Sequence, residues 1–141
     1  MSKPMSKPMS GPKNDDEIDW SIEAARAADA KSAHDIVILD VGPVLAVCGR
    51  FVIASATNTR QVRSVVDEVE ARIAAAGGPR PLRIEGRDDL RWVLMDYGDL
   101  VVHVFLDEAR QFYDLERLWA DVARIPWTPD PAVAPTGTEL G

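Results

Sequence analysis

A pair of β-rich runs around a glycine turn constrains this chain more than any other feature. Arg91-Trp-Val-Leu-Met-Asp96 and Asp99-Leu-Val-Val-His-Val-Phe105 flank Tyr97-Gly98, the pattern of a β-hairpin. With Tyr97-Gly98 alone as the loop, Asp96 stands opposite Asp99, Leu94 opposite Val101, and Trp92 opposite His103. Side chains alternate between the two faces of a strand. Val93, Met95, Leu100, Val102 and Val104 therefore share a purely aliphatic face, expected to lie under helices. Trp92, Leu94, Asp96, Asp99, Val101, His103 and Phe105 share the other. That mixed face reads either as a second, partly covered core or as a partner surface, since aromatic groups ringed by polar ones are typical of interaction hot spots. Asp96 against Asp99 would repel unless a cation, a turn amide or a basic partner compensates.

The rest of the chain follows the local grammar of an α/β domain. Ile18, Ile22, Ala25 and Ala28 recur at helical spacing and predict a helix from about Asp19 to Ala33, with His34 at its carboxyl end. Asp35 to Val41 and Phe51 to Ser55 read as buried strands, separated by a Gly42-Pro43 break. The second helix carries Val62, Val65, Val66, Val69 and Ile73 on one face. Asn58 and Gln61 have capping-box spacing, Glu68 and Arg72 form an i,i+4 pair, and Gly77-Gly78-Pro79 supplies the stop. Pro81 to Glu85 is extended. A last helix is predicted from about Glu108 to Asp121, capped by Asp107, with Phe112, Leu115, Trp119 and Val122 as its apolar stripe. Leu118 and Trp119 read as core. The order α-β-β-α-β-β-β-α predicts a mixed β-sheet with helices packed mainly on one face.

Both ends read differently from the middle. The Met-Ser-Lys-Pro repeats have too little apolar surface to offset ordering entropy, so residues 1–15 are expected to be a disordered tail. Residues 126–141, with four prolines among small polar residues, are expected to be another, leaving 16–125 as the domain. The N-terminal lysines have no apolar segment behind them, which argues against a secretory signal. No apolar run approaches the roughly 20 residues that span a bilayer. A single cysteine, Cys48, excludes an internal disulfide framework, and two histidines, His34 and His103, argue against a histidine-rich metal site. No cofactor is expected, and a reducing, cytoplasmic setting fits. Sixteen basic and twenty-three acidic side chains give a net charge of −7, which suits a basic protein partner better than nucleic acid. Arg80, Arg83, Arg87 and Arg91 would make a basic stripe, but Glu85, Asp88 and Asp89 offset it.

These strings, together with Arg60-Gln-Val, Asp67-Glu-Val-Glu70, Glu85-Gly86 and Phe112-Tyr-Asp-Leu-Glu-Arg-Leu-Trp119, carry a likeness. Over about residues 20–125 the chain resembles the ribosomal silencing factor family, also called Iojap-like or RsfS proteins. The resemblance implies a mixed α/β fold related to nucleotidyltransferases. It also implies binding to a large-subunit ribosomal protein at the subunit interface, the fourteenth of the large-subunit series. Occupancy there blocks joining of the small subunit and lowers translation when nutrients are scarce, with no chemistry required. Some members are dimers. Trp92, Asp96, Tyr97, Asp99, His103, Phe105, Arg110 and Tyr113 are the matching motif positions and the expected binding patch. One loop departs from the family: members often have threonine or serine, then aspartate and an aromatic residue, where this chain has Cys48-Gly49-Arg50. Two rivals remain. An active nucleotidyltransferase needs clustered carboxylates beside a Gly-Ser turn, whereas Ala54-Ser55-Ala56 lacks the glycine. A ribosomal-RNA-binding module would need the arginine stripe to be free.

Overall fold

The hairpin forms with a register different from the expected one. In the computed structural model, which describes residues 18–130, Trp92 faces Phe105, Leu94 faces His103 and Asp96 faces Val101. The two-residue loop is Gly98-Asp99, closed by the Tyr97 N–H donating to the Leu100 carbonyl at 2.8 Å. Tight hairpin turns of this kind put a positive φ on the first loop residue. Gly98 adopts φ +92° at no steric cost, whereas a Tyr97-Gly98 loop would force that conformation on tyrosine. Asp96 turns its Oδ1 onto the Gly98 N–H at 2.8 Å, and the expected Asp96–Asp99 repulsion does not arise. The slip is an even one, so both faces keep their members.

Five strands make one sheet: β1 (His34–Asp40), β2 (Arg50–Ala56), β3 (Arg83–Glu85), β4 (Trp92–Asp96) and β5 (Leu100–Leu106), in the order β1-β2-β5-β4-β3. Only β2 and β5 run parallel. A mixed sheet follows, as expected. Helices α1 (Trp20–Ala30) and α2 (Thr59–Ala75) pack on the aliphatic face. There Val93, Met95, Val102 and Val104 meet the valine stripe of α2 and the alanines of α1 in the main core. Asn58 caps α2 by accepting from the Gln61 N–H at 2.8 Å. Gln61 reaches back to the Thr57 N–H and forward to the Lys31 carbonyl, tying the start of α2 to the end of α1. Arg72 does not use the expected Glu68: it crosses to Glu23 on α1 at 2.9 Å and to Asp130 at 3.1 Å.

Three expectations about ends are corrected. His34 starts β1 instead of closing the first helix, and its Nε2 meets Asp107 Oδ1 at 2.7 Å. Asp107 consequently caps nothing; Leu106 is the N-cap of the next helix, without a side-chain bond. The last helix is two pieces, α3 (Asp107–Tyr113) and α4 (Leu115–Leu118), broken by Asp114 at φ 48°. The break ends the predicted apolar stripe. Leu115 and Trp119 pack on the second core, whereas Phe112 and Leu118 face out.

Residues 126–130, expected to belong to the C-terminal tail, are held to the domain. Residues 123–125 pair with the outer edge of β1 through Asp40 N–H to Ala123 O (2.9 Å) and Ile125 N–H to Ile38 O (2.8 Å). Trp127 then packs on the main core, and Arg26 donates to the Thr128 carbonyl at 2.9 Å. The remaining tail residues, 1–15 and 131–141, lie outside the described residues.

Candidate functional site

The second face of the sheet carries a descending series of rings. Phe105, at the centre, is wholly buried. Trp92, the first residue of β4, stacks on it at 4.9 Å between centroids with 27° between planes. Tyr113, the last residue of α3, meets Trp92 at 4.7 Å. Phe112 stands edge-on to Tyr113 at 5.0 Å and is 78% exposed. The series thus runs from a packed core residue to a phenylalanine in open solvent. Leu118, on α4, is as exposed at 77%. Adjacent large apolar groups left in water cost free energy that a partner would recover on covering them.

His103 lies behind this series and is 3% exposed. Phe51 approaches it edge-on at 4.7 Å, and its Nδ1 takes the Trp92 indole N–H at 3.0 Å. Burial lowers its pKa to about 4, so the ring is neutral at neutral pH.

The remaining motif positions are elsewhere. Tyr97 packs against the main core on the opposite face, its hydroxyl buried without a partner among the described residues. Burial, with a smaller push from the Glu70 carboxylate, raises its pKa to about 12. Asp96 holds the turn, and Asp99 is exposed beside Gly49, its carbonyl accepting from the Gly49 and Arg50 N–H groups at 2.9 and 3.1 Å. Arg110, on α3, is a staple: it donates to the Asp35 carbonyl at 2.6 Å, to Ser55 Oγ at 2.8 Å, and doubly to Glu116 at 3.0 and 2.9 Å. Those bonds hold the broken helix to a bulge in β1, where Asp35 takes φ 51°. Arg110→Ala should lower unfolding free energy by about 2 kcal/mol in urea titration, since Arg124 partly replaces it at Glu116. Of the eight expected patch residues, the fold therefore brings Trp92, His103, Phe105 and Tyr113 together and separates Asp96, Tyr97, Asp99 and Arg110.

A family model for the ribosomal silencing factor during starvation, RsfS, matches residues 14–139. The chain belongs to the ribosomal silencing factor family. Ribosomal silencing factor RsfS of Bacillus subtilis is 41% identical over 98 residues, covering 70% of this chain and 82% of the relative. A mouse protein named for mitochondrial assembly of the ribosomal large subunit is 34% identical over 92 residues, 63% of this chain and 40% of the relative. A crystal structure of a Chromobacterium violaceum protein superposes with a TM-score of 0.69 at 32% identity, covering 82% of this chain and 94% of that one. The family places the chain among translation regulators.

Against that family pattern, the Cys48-Gly49-Arg50 loop has a local explanation. A Cβ on Gly49 would sit 3.0 Å from the Asp99 carboxylate, so an aspartate there would crowd two anions together. Arg50 instead reaches Asp19, the N-cap of α1, at 2.8 Å and Ser21 Oγ at 3.0 Å. Desolvation is the largest single influence on the Asp19 carboxyl and acts upward, but hydrogen bonds from the Ser21 hydroxyl, from Arg50 and from the Ser21 N–H, with the Arg50 charge, together outweigh it and hold the group below its usual range. Cys48 is buried, with its thiol pKa raised by that burial.

The rivals meet occupied groups. Ser55, at the position a Gly-Ser turn would use, is buried and bonded to Arg110. In the arginine stripe of this silencing-factor domain, Arg83 pairs with Glu85 and Asp96, Arg87 with Asp67, and Arg91 with Glu108. Phe112 and Leu118 were legible only as core, because an unbroken helix places both inward. The one signal against that reading was Tyr113-Asp114, where a residue tolerant of left-handed backbone follows an aromatic pair.

Proposed function

We propose that this silencing factor represses translation by occupying the large ribosomal subunit and blocking access of the small one, without catalysis. Its docking surface is the ring series on the second sheet face. Trp92, Tyr113 and Phe112 make contact, and Phe105, His103 and Arg110 support them. The partner is a basic large-subunit protein at the subunit interface, the fourteenth of its series, in the cytoplasm. The observation that carries this reading is the exposed Phe112–Tyr113 edge continuous with a buried aromatic core. The overall charge agrees: the chain carries −7, which suits a basic partner. The mouse relative's name, which refers to the ribosomal large subunit, points the same way.

Replacing an exposed ring tests the surface without threatening the fold. Phe112→Ala should leave unfolding free energy within about 0.5 kcal/mol of the parent. Its affinity for isolated large subunits in co-sedimentation should fall at least about tenfold, as for an interface anchor. Inhibition in a subunit-joining assay should fall in parallel. Undiminished formation of complete ribosomes at saturating parent protein would overturn the reading.

A further inference from the structure

The buried histidine of the aromatic face has a chemistry that packing alone does not require. His103 lies in the middle of β5, flanked by Ile53 on β2 and Leu94 on β4, with rings of Phe51 at 4.7 Å, Trp92 at 5.9 Å and Phe105 at 6.3 Å. An indole N–H is only a donor, so the 3.0 Å bond from Trp92 Nε1 requires a bare Nδ1 on the imidazole. The proton must then sit on Nε2. That atom is buried and has no hydrogen-bond partner among the described residues. A buried donor left unmade is unfavourable, and a phenyl ring would fill similar space without it. What a phenyl ring could not do is accept the Trp92 N–H.

The indole itself has a choice that matters at the surface. Trp92 is half-buried, lying between wholly buried Phe105 and exposed Tyr113. Without an acceptor beneath it, its N–H would be satisfied by turning toward water, which would break the stack on Phe105 and shift the ring against which Tyr113 rests. We propose that His103 is a positioning residue: its bare Nδ1 locks the Trp92 indole plane and thereby sets the angle at which Tyr113 and Phe112 are presented. The inference concerns how the patch is built. Its link to affinity rests on the docking surface proposed above.

Two full-length variants separate acceptance from packing. His103→Phe fills the space and accepts nothing; His103→Asn offers an amide oxygen near the Nδ1 position. The Trp92 indole N–H is followed by proton NMR, its signal assigned by its loss in Trp92→Phe. The parent and His103→Asn should show a protected indole proton, and His103→Phe should show exchange faster by at least about tenfold, the scale of one lost hydrogen bond. Far-ultraviolet circular dichroism should be unchanged in both. Affinity for large subunits should follow the indole signal, falling about tenfold in His103→Phe and recovering in His103→Asn. An indole proton equally protected in parent and His103→Phe overturns the proposal. If His103→Phe does not fold, an unprotected proton in folded His103→Asn also overturns it, and a protected one supports it. Failure of the parent to bind large subunits would defeat the docking surface and leave the indole readout to decide the positioning role.

Discussion

Gly86→Ala should destabilise the domain by about 4 kcal/mol and lower the melting temperature by more than about 15 °C. Two independent terms add at this position. Gly86 holds φ +91°, a region that costs a side-chain-bearing residue about 1 kcal/mol or more. A Cβ there would also lie 2.1 Å from the Trp92 carbonyl oxygen, far inside van der Waals contact, with main chain rather than a movable side chain as the obstacle. Relief requires β3 or its following turn to move away from the start of β4. Gly98→Ala is the natural comparison. It has nearly the same dihedral, φ +92°, but its Cβ would meet only Leu82 at 3.7 Å, so the cost should stay near 1 kcal/mol. Thermal unfolding of both variants separates strain from collision; equal losses would show that the approach to Trp92 is soft. Because Trp92 begins the ring series, a surviving Gly86→Ala population should also bind large subunits more weakly.

Acid should weaken the fold through His103. The unfolded histidine titrates near 6.5, while burial keeps the native ring neutral down to about 4. Below pH 6.5 the unfolded chain gains a proton that the native chain refuses, so the equilibrium moves toward unfolding as pH falls. Above pH 6.5 both states are neutral and the contribution is flat. Between pH 7 and pH 4.5 the loss should reach about 2.4 kcal/mol, measured as the difference in urea unfolding free energy. His103→Phe should remove that slope. Asp19 acts lower: its native carboxyl is held below 3.8, so its contribution is lost only as pH falls beneath that value. A parent and His103→Phe protein that lose equal stability across pH 7 to 4.5 would refute the assignment of the slope to this ring.

Periodicity made most of the architecture readable. The aliphatic set Val93, Met95, Leu100, Val102 and Val104 lies under α1 and α2 because an even register slip cannot move a side chain to the other face. The slip itself was decided by one dihedral, the positive φ that Gly98 accepts and Tyr97 resists. The broken last helix was less accessible. An unbroken helix from Glu108 satisfies the apolar spacing of Phe112, Leu115 and Trp119. It breaks at Asp114, where Arg110, Asp35, Ser55 and Glu116 meet, a long-range arrangement that no local pattern encodes. The surface was half legible for the same reason. Trp92, Phe105 and Tyr113 stand out in the motif, but the spacing places Phe112 and Leu118 in the interior, where the fold does not put them. Tyr97 and Arg110 share the motif and serve packing and stapling, tasks that a linear string does not distinguish from contact.

Composition marks Pro126 as the place to stop, yet the chain past Val122 is what closes the flank of β1. A version trimmed at Val122 would leave a row of bare amides and carbonyls along a seven-residue strand, a template on which other molecules could stack into fibrils. Pro126, the residue after 123–125, has no N–H to offer, so the pairing stops after three residues and the added segment does not extend into a long new edge.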